Sequence, residues 1–256
     1  MKQYRSLFRN RNYRLLWLGG VVSTLGDFFN SLALLKILSE DPAHLGFYLA
    51  VIMVAKMLPG VLLGPVAGVL ADRLNRRTTL IATDVLRAAL VTGLVFVDRP
   101  APIVALVFLS AGVSAFFNPA HTALMPSLVG PEELVSATSL SFLTNRTAQL
   151  VGNALGAVTL LVLSPHQVFY IDAASFLISA LFHLAIRLPA NPTASTTSGA
   201  ESDRSGSILQ RFAQDVNEAI SFLRESPPVR HFLTAFGICA VGDAGGNVLL
   251  FTFVVT

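Results

Sequence analysis

Charge is what this sequence has least of. Only 13% of its 256 residues are charged, against about 25% in an ordinary soluble domain, which points to lipid rather than water as the main solvent. Cysteine is almost absent. The single Cys239 excludes an internal disulfide and any multi-cysteine zinc site, and it reads as a small apolar packing residue. The usual enzyme signatures are missing too: there is no His-Glu-x-x-His pair, no Gly-x-Ser-x-Gly turn and no phosphate-cradling glycine loop. His121 and His183 lack acidic or histidine neighbours at metal-ligand spacing and read as packed core residues. No enzyme activity, cofactor or metal is therefore expected.

Apolar residues are plentiful, at 53% of the chain. A helix needs about 20 of them in a row to cross roughly 30 Å of hydrocarbon. Spans are expected near residues 14 to 38, 45 to 71, 78 to 97, 101 to 126, 135 to 163, 167 to 187 and 230 to 256. They should be helices, because a strand edge leaves backbone groups unpaired in lipid. The first run is too long for the core of a cleavable signal peptide and is expected to remain as a span.

The formal charge of +3 sits in short connections between spans, so it reads as a topology signal and not as a nucleic-acid surface. Lys2, Arg5, Arg9, Arg11 and Arg14 open the first span; Arg73, Arg76 and Arg77 follow the second; Arg187, Arg204, Arg211, Arg224 and Arg230 occupy the sixth connection. Those sides, with the N-terminus, should face the cytoplasm. The alternate connections hold Arg99 as their only Lys or Arg and should face outward.

These patterns predict an all-α integral membrane chain in four parts: a six-span bundle over 1–188, a flexible cytoplasmic linker over 189–207, an amphipathic surface helix over 208–226 and a seventh span over 230–256. The linker is rich in Ser, Thr, Ala, Asn and Pro and cannot bury enough apolar surface to order itself. In the surface helix Ile208, Phe212, Val216, Ile220 and Leu223 fall at helical spacing before Pro227-Pro228.

Arg14, Gly26, Asp27 and Leu34 of the first span recur as Arg230, Gly242, Asp243 and Leu250 of the seventh, each pair about 216 residues apart, as in transporter halves related by an axis along the membrane normal. The connection Gly68-Val-Leu-Ala-Asp72-Arg73-Leu-Asn75-Arg76-Arg77 carries a longer signal. It resembles the Gly-x-x-x-Asp-Arg-x-Gly-Arg-Arg loop of the major facilitator superfamily. In it Gly68 should permit close helix packing, Asp72 should pair with arginine or face a helix N-terminus, and the arginines should stay in the cytoplasm. Asn75 replaces the usual glycine, with asparagine the next most tolerant residue for a left-handed turn.

Further stretches, Asp84-Val-Leu-Arg87, Phe116-Phe-Asn-Pro119, Leu124-Met-Pro126 and Tyr170-Ile-Asp172-Ala-Ala-Ser175, resemble the branch that holds macrolide-efflux and enterobactin-type exporters. The resemblance implies a six-helix half of a twelve-span secondary transporter, with the loop latching the cytoplasmic side. It departs from exporters at Gly152-Asn153-Ala-Leu-Gly156-Ala157, which lacks a Gly-Pro-x-x-Gly-Gly motif, and in having no arginine in the fourth span.

Charges inside spans carry the functional expectations. Asp27 falls halfway along the first span, where an ionised carboxylate costs roughly 2.5 to 3.5 kcal/mol and needs a partner or a cavity. It is the candidate proton carrier, Gly26 and Asn30 the residues that let substrate or water approach, and Arg146, on a polar face of the fifth span, the expected counter-charge. Asp84 and Arg87, three residues apart, should pair on one helix face. Lys36 should snorkel to the interface, while Lys56 lies deeper, on a candidate substrate path. The leading expectation is proton-coupled export of a small amphipathic drug- or siderophore-class compound across the cell membrane. The partners expected are the lipid bilayer, protons and that substrate, with a second transporter half as a further candidate; the alternative is a non-transporting fragment or a half-transporter that needs a partner.

Overall fold

The computed structural model describes residues 2–187 together with Ser226 and Thr234, without the side chains of residues 2–5, 65, 69 and 71–73. The expected linker, surface helix and seventh span, including Asp243, lie outside the described residues apart from those two positions. A short helix α1 (Lys2–Arg9) leads into six long ones: α2 (Arg11–Leu38), α3 (Leu45–Arg73), α4 (Arg76–Leu94), α5 (Pro100–Leu124), α6 (Pro131–Val162) and α7 (Pro165–Leu184). A 3-10 turn, Met125–Ser127, follows α5. The six long helices match the six expected spans of the bundle. Helix α1 was not legible as a separate element.

Helix starts follow from local chemistry. The Asn10 side chain accepts from the backbone N–H groups of Asn12 and Tyr13, and Ser164 forms a capping box with Gln167 ahead of α7. Helices α5, α6 and α7 each carry proline in the first turn, where no helical N–H bond is lost. By length and composition alone α2, α5, α7 and the first twenty residues of α3 suffice to cross a bilayer. Helices α4 and α6 are more polar, because charged and amide side chains interrupt their apolar runs.

Packing runs in the order α6, α2, α7, α4, α5, α3. One apolar core joins Leu34, Val91, Ile103, Phe169 and Phe176, and another gathers Tyr13, Leu16, Leu80, Phe117 and Ile186. Large apolar side chains such as Val61, Leu150 and Leu161 point outward, the pattern of a bundle whose solvent is lipid.

Glycine sets two helix crossings. Gly26 lies against Asp172 and Ser175 of α7 so tightly that a Cβ would overlap them. Gly152 and Gly156 seat α6 on Phe28 and Leu32 of α2, where a Cβ would come within 2.9 and 2.8 Å of those side chains. Gly26 is thus a contact between helices and not the opening for substrate expected from sequence. Gly68, expected at a close packing, has no described atom within 4 Å of a Cβ placed on it.

Candidate functional site

Arginine 87 reaches across the bundle from α4 to α2. Its Nη2 donates to Asp27 Oδ1 at 2.5 Å, and its guanidinium lies 4.0 Å from the centre of the Phe176 ring on α7. The pair is asymmetric: the Arg87 side chain is 8% exposed and that of Asp27 47%. Asp27 gains its exposure from an open cavity of about 370 Å³ lined by α2, α3, α4 and α5. Asn30, Ser31, Lys56 and Asn118 line it as well, while Leu90, Leu94 and Leu106 form an apolar wall. The intramembrane carboxylate thus has both a partner and a cavity, the two ways of meeting its insertion cost.

Arg146 is not the partner of Asp27. It stands exposed on α6, where it donates to Gln149 at 3.3 Å and lies 5.3 Å from the Phe142 ring. Gly152 seats α6 on α2, and six residues back along a helix of about 3.6 residues per turn is about 120° away from that face. Asp84 and Arg87 do not pair either. Their i, i+3 spacing permits contact, but each has a better partner on another helix. Asp84 is fully buried and accepts from Ser179 Oγ at 2.7 Å and His183 Nδ1 at 2.9 Å, both on α7. Two polar atoms of this cluster, Asp84 Oδ1 and His183 Nε2, have no hydrogen-bond partner among the described residues.

A second carboxylate escaped the sequence reading as a site residue. Asp172 is fully buried, accepts from Asn30 Nδ2 at 2.7 Å and lies 3.4 Å from Ser175 Oγ. Asn30 therefore lines the cavity and also screens Asp172 from it. The signal was the spacing: Gly26 and Asn30 share one face of α2 at i, i+4, and Asp172 and Ser175 one face of α7 at i, i+3. Lys56 donates to Ser31 Oγ at 2.8 Å from across the cavity. Lys36, near the end of α2, donates to the Leu160 carbonyl at 2.9 Å, within the last turn of α6, where a cation meets the negative end of the helix dipole.

The glycine-to-asparagine change in the basic loop has a local explanation. Asn75 is extended, at φ −66° and ψ 107°, and its side chain accepts from the Thr78 N–H as the N-cap of α4. It does not adopt the left-handed turn expected, and no non-glycine residue with positive φ occurs among the described residues. Arg76 donates to the Ala123 carbonyl at 2.8 Å, near the end of α5. Arg77 donates to the His183 carbonyl at 3.2 Å and also to that of Leu184, at the end of α7. Both arginines thus hold the carbonyl ends of neighbouring helices. The side chains of Asp72 and Arg73 are outside the described set.

The sequence is similar to those of known proteins. The Major Facilitator Superfamily model matches residues 16–256. An uncharacterized MFS-type transporter of Bacillus subtilis strain 168, YfiS, is 28% identical over 259 residues, covering 97% of this chain and 59% of that protein. The putative bacilysin exporter BacE of the same strain is 33% identical over 180 residues, 69% of this chain and 44% of that one. Macrolide efflux protein A of Streptococcus pyogenes is 26% identical over 216 residues, 82% and 51% of the respective chains. The chain spans about half the length of the curated relatives it matches. With the family model covering nearly all of the sequence, and with apolar helices long enough to cross a bilayer, this multi-pass membrane chain belongs to the major facilitator superfamily.

Proposed function

We propose that this chain forms the N-terminal half of a proton-coupled exporter of small molecules that works by alternating access in the cell membrane. The observation that carries the reading is the Asp27–Arg87 pair on the wall of an intramembrane cavity. Proton arrival at Asp27 removes the negative charge that holds Arg87, so the cavity gains a free cation. Proton departure restores the pair. Coupling of this kind needs a carboxyl reachable from a water-filled path, and the half-exposed Asp27 meets that need better than the enclosed Asp84 or Asp172. Similarity to proteins named as a macrolide efflux protein and a putative bacilysin exporter supports export as the direction.

Arg76 and Arg77 suit a cytoplasmic gate because they join the ends of α5 and α7 to the start of α4. In this reading Gly68, Asp72 and Arg73 belong to the same gate, and Asp243 is a further proton-coupling or substrate-binding residue. In this reading the N-terminus lies in the cytoplasm, which the distribution of basic residues supports. Cysteine introduced at His44, in a Cys239→Ser background, should then react with a membrane-impermeant reagent from outside, and one at Ser205 only after permeabilisation. Reaction of both from outside would overturn the orientation.

The coupling test uses inverted vesicles from cells producing the whole product of the gene, with a pH-sensitive dye and a panel of small amphipathic acids, bases and neutral compounds. At least one compound should trigger proton movement with wild type and none with Asp27→Asn. The amide still accepts a hydrogen bond from Arg87 and keeps the fold, but it carries no exchangeable charge. Exchange that continues to track an imposed pH gradient in the Asn variant removes Asp27 from coupling.

A further inference from the structure

Cations outnumber carboxylates on the cavity wall. Among the described residues that line it, Lys56 and Arg87 are basic and Asp27 alone is acidic. Asp27 is engaged by Arg87 at 2.5 Å. Asp172, the other acidic group nearby, approaches from α7 but is fully buried behind Asn30, which donates to it at 2.7 Å. Among the described residues Lys56 therefore has no carboxylate at salt-bridge distance. Its ammonium carries three donors, and the structure shows one in use, to Ser31 Oγ at 2.8 Å. Lysine 56 is twelve residues into a 29-residue helix, too deep to reach the interface by its own length. An unpaired ammonium at that depth is costly unless something of opposite charge comes to it.

The cavity is also graded. Along α4, Arg87 is followed by Leu90, Val91 and Leu94; along α5, Leu106 and Val107 are followed by Ser110, Ser114 and Asn118. Because the two helices are consecutive, the later part of α4 lies beside the earlier part of α5. The large apolar residues thus gather at one end of the cavity, and the polar side chains of α5, interleaved with Ala111 and Ala115, at the other. A ligand that satisfies both ends has an apolar body and an anionic head.

We propose that the cavity takes amphipathic anions, with a substrate carboxylate on the Lys56 ammonium beside Arg87 and its apolar body against Leu90, Leu94 and Leu106. The inference rests on the transport reading and adds the charge class of the substrate. With Arg87 engaged by Asp27, Lys56 is the cation left on the cavity wall to receive the carboxylate.

Two probes that differ only in this charge, dansylglycine and dansylglycinamide, test the assignment on the purified chain in lipid nanodiscs, with dansyl fluorescence reporting binding. The carboxylate should bind about tenfold or more tighter than the amide, a margin of about 1.4 kcal/mol. Lys56→Gln should bring the ratio to about one while leaving amide binding in place, and Lys56→Arg should keep the preference. Equal affinity of the two probes for wild type overturns the anion assignment while leaving a small-molecule site standing. A preference that persists in Lys56→Gln overturns the role of Lys56. Binding of neither probe overturns both the anion assignment and the cavity as a substrate site.

Discussion

Replacing Asp27 with leucine is expected to destabilise the chain by about 3–5 kcal/mol, more than replacing its partner Arg87 with methionine. The reason is which charge each change leaves behind. Leucine at position 27 strands a guanidinium that is 8% exposed, and breaking an ion pair while leaving a buried member uncompensated is the costly case. Methionine at position 87 strands a carboxylate that is 47% exposed to the cavity. Solvent there screens it, so the loss should be only about 1–2 kcal/mol, including the contact with Phe176. Combining the two changes should recover most of the Asp27→Leu loss, and a double-mutant cycle on unfolding midpoints in detergent measures that coupling. Equal costs for the two single variants, or additive ones in the double, would mean that the pair does not organise α2 against α4.

Asp84→Leu is the second large loss expected, again about 3–5 kcal/mol, and it should be seen as a lower unfolding midpoint with no change at the cavity. Asp84 accepts from Ser179 and His183, all three fully buried. Leucine leaves both donors unpaired in a site with no water path, at about 1–3 kcal/mol each. Asn at the same position should cost less, because its carbonyl still accepts from Ser179. Two polar atoms of the cluster already lack partners, so the site has little spare capacity. An Asp84→Leu variant as stable as wild type would show that the carboxylate does not tie α4 to α7.

The six spans of the bundle were legible because each is decided within its own segment. In lipid the backbone has to bond to itself, so an apolar run of sufficient length becomes a helix whatever its neighbours do. Polar residues at the ends, such as Asn10, Ser164 and Pro165, then mark where it starts. Asn75 shows the limit of residue-by-residue reading. It occupies a glycine position of the family loop, yet its side chain caps α4 instead of tolerating a left-handed turn.

Pairing among the charges was not legible in the same way. Arg146 sits on the polar face of its helix and was the natural counter-charge for Asp27, but α6 presents Gly152 and Gly156 to α2 and turns Arg146 away. Asp84 and Arg87 are neighbours on one helix, and still each engages a different helix. His183 looked like ordinary core and proves to be the partner of Asp84. The Asp27–Arg87 bond joins residues sixty positions apart. The sequence by itself determined the class of solvent, the six helices of the bundle and the presence of charges that need company inside the membrane. Only the tertiary structure decided which charges meet and which face a cavity, since that depends on the rotation and crossing of whole helices, set by contacts as small as Gly26 against Ser175.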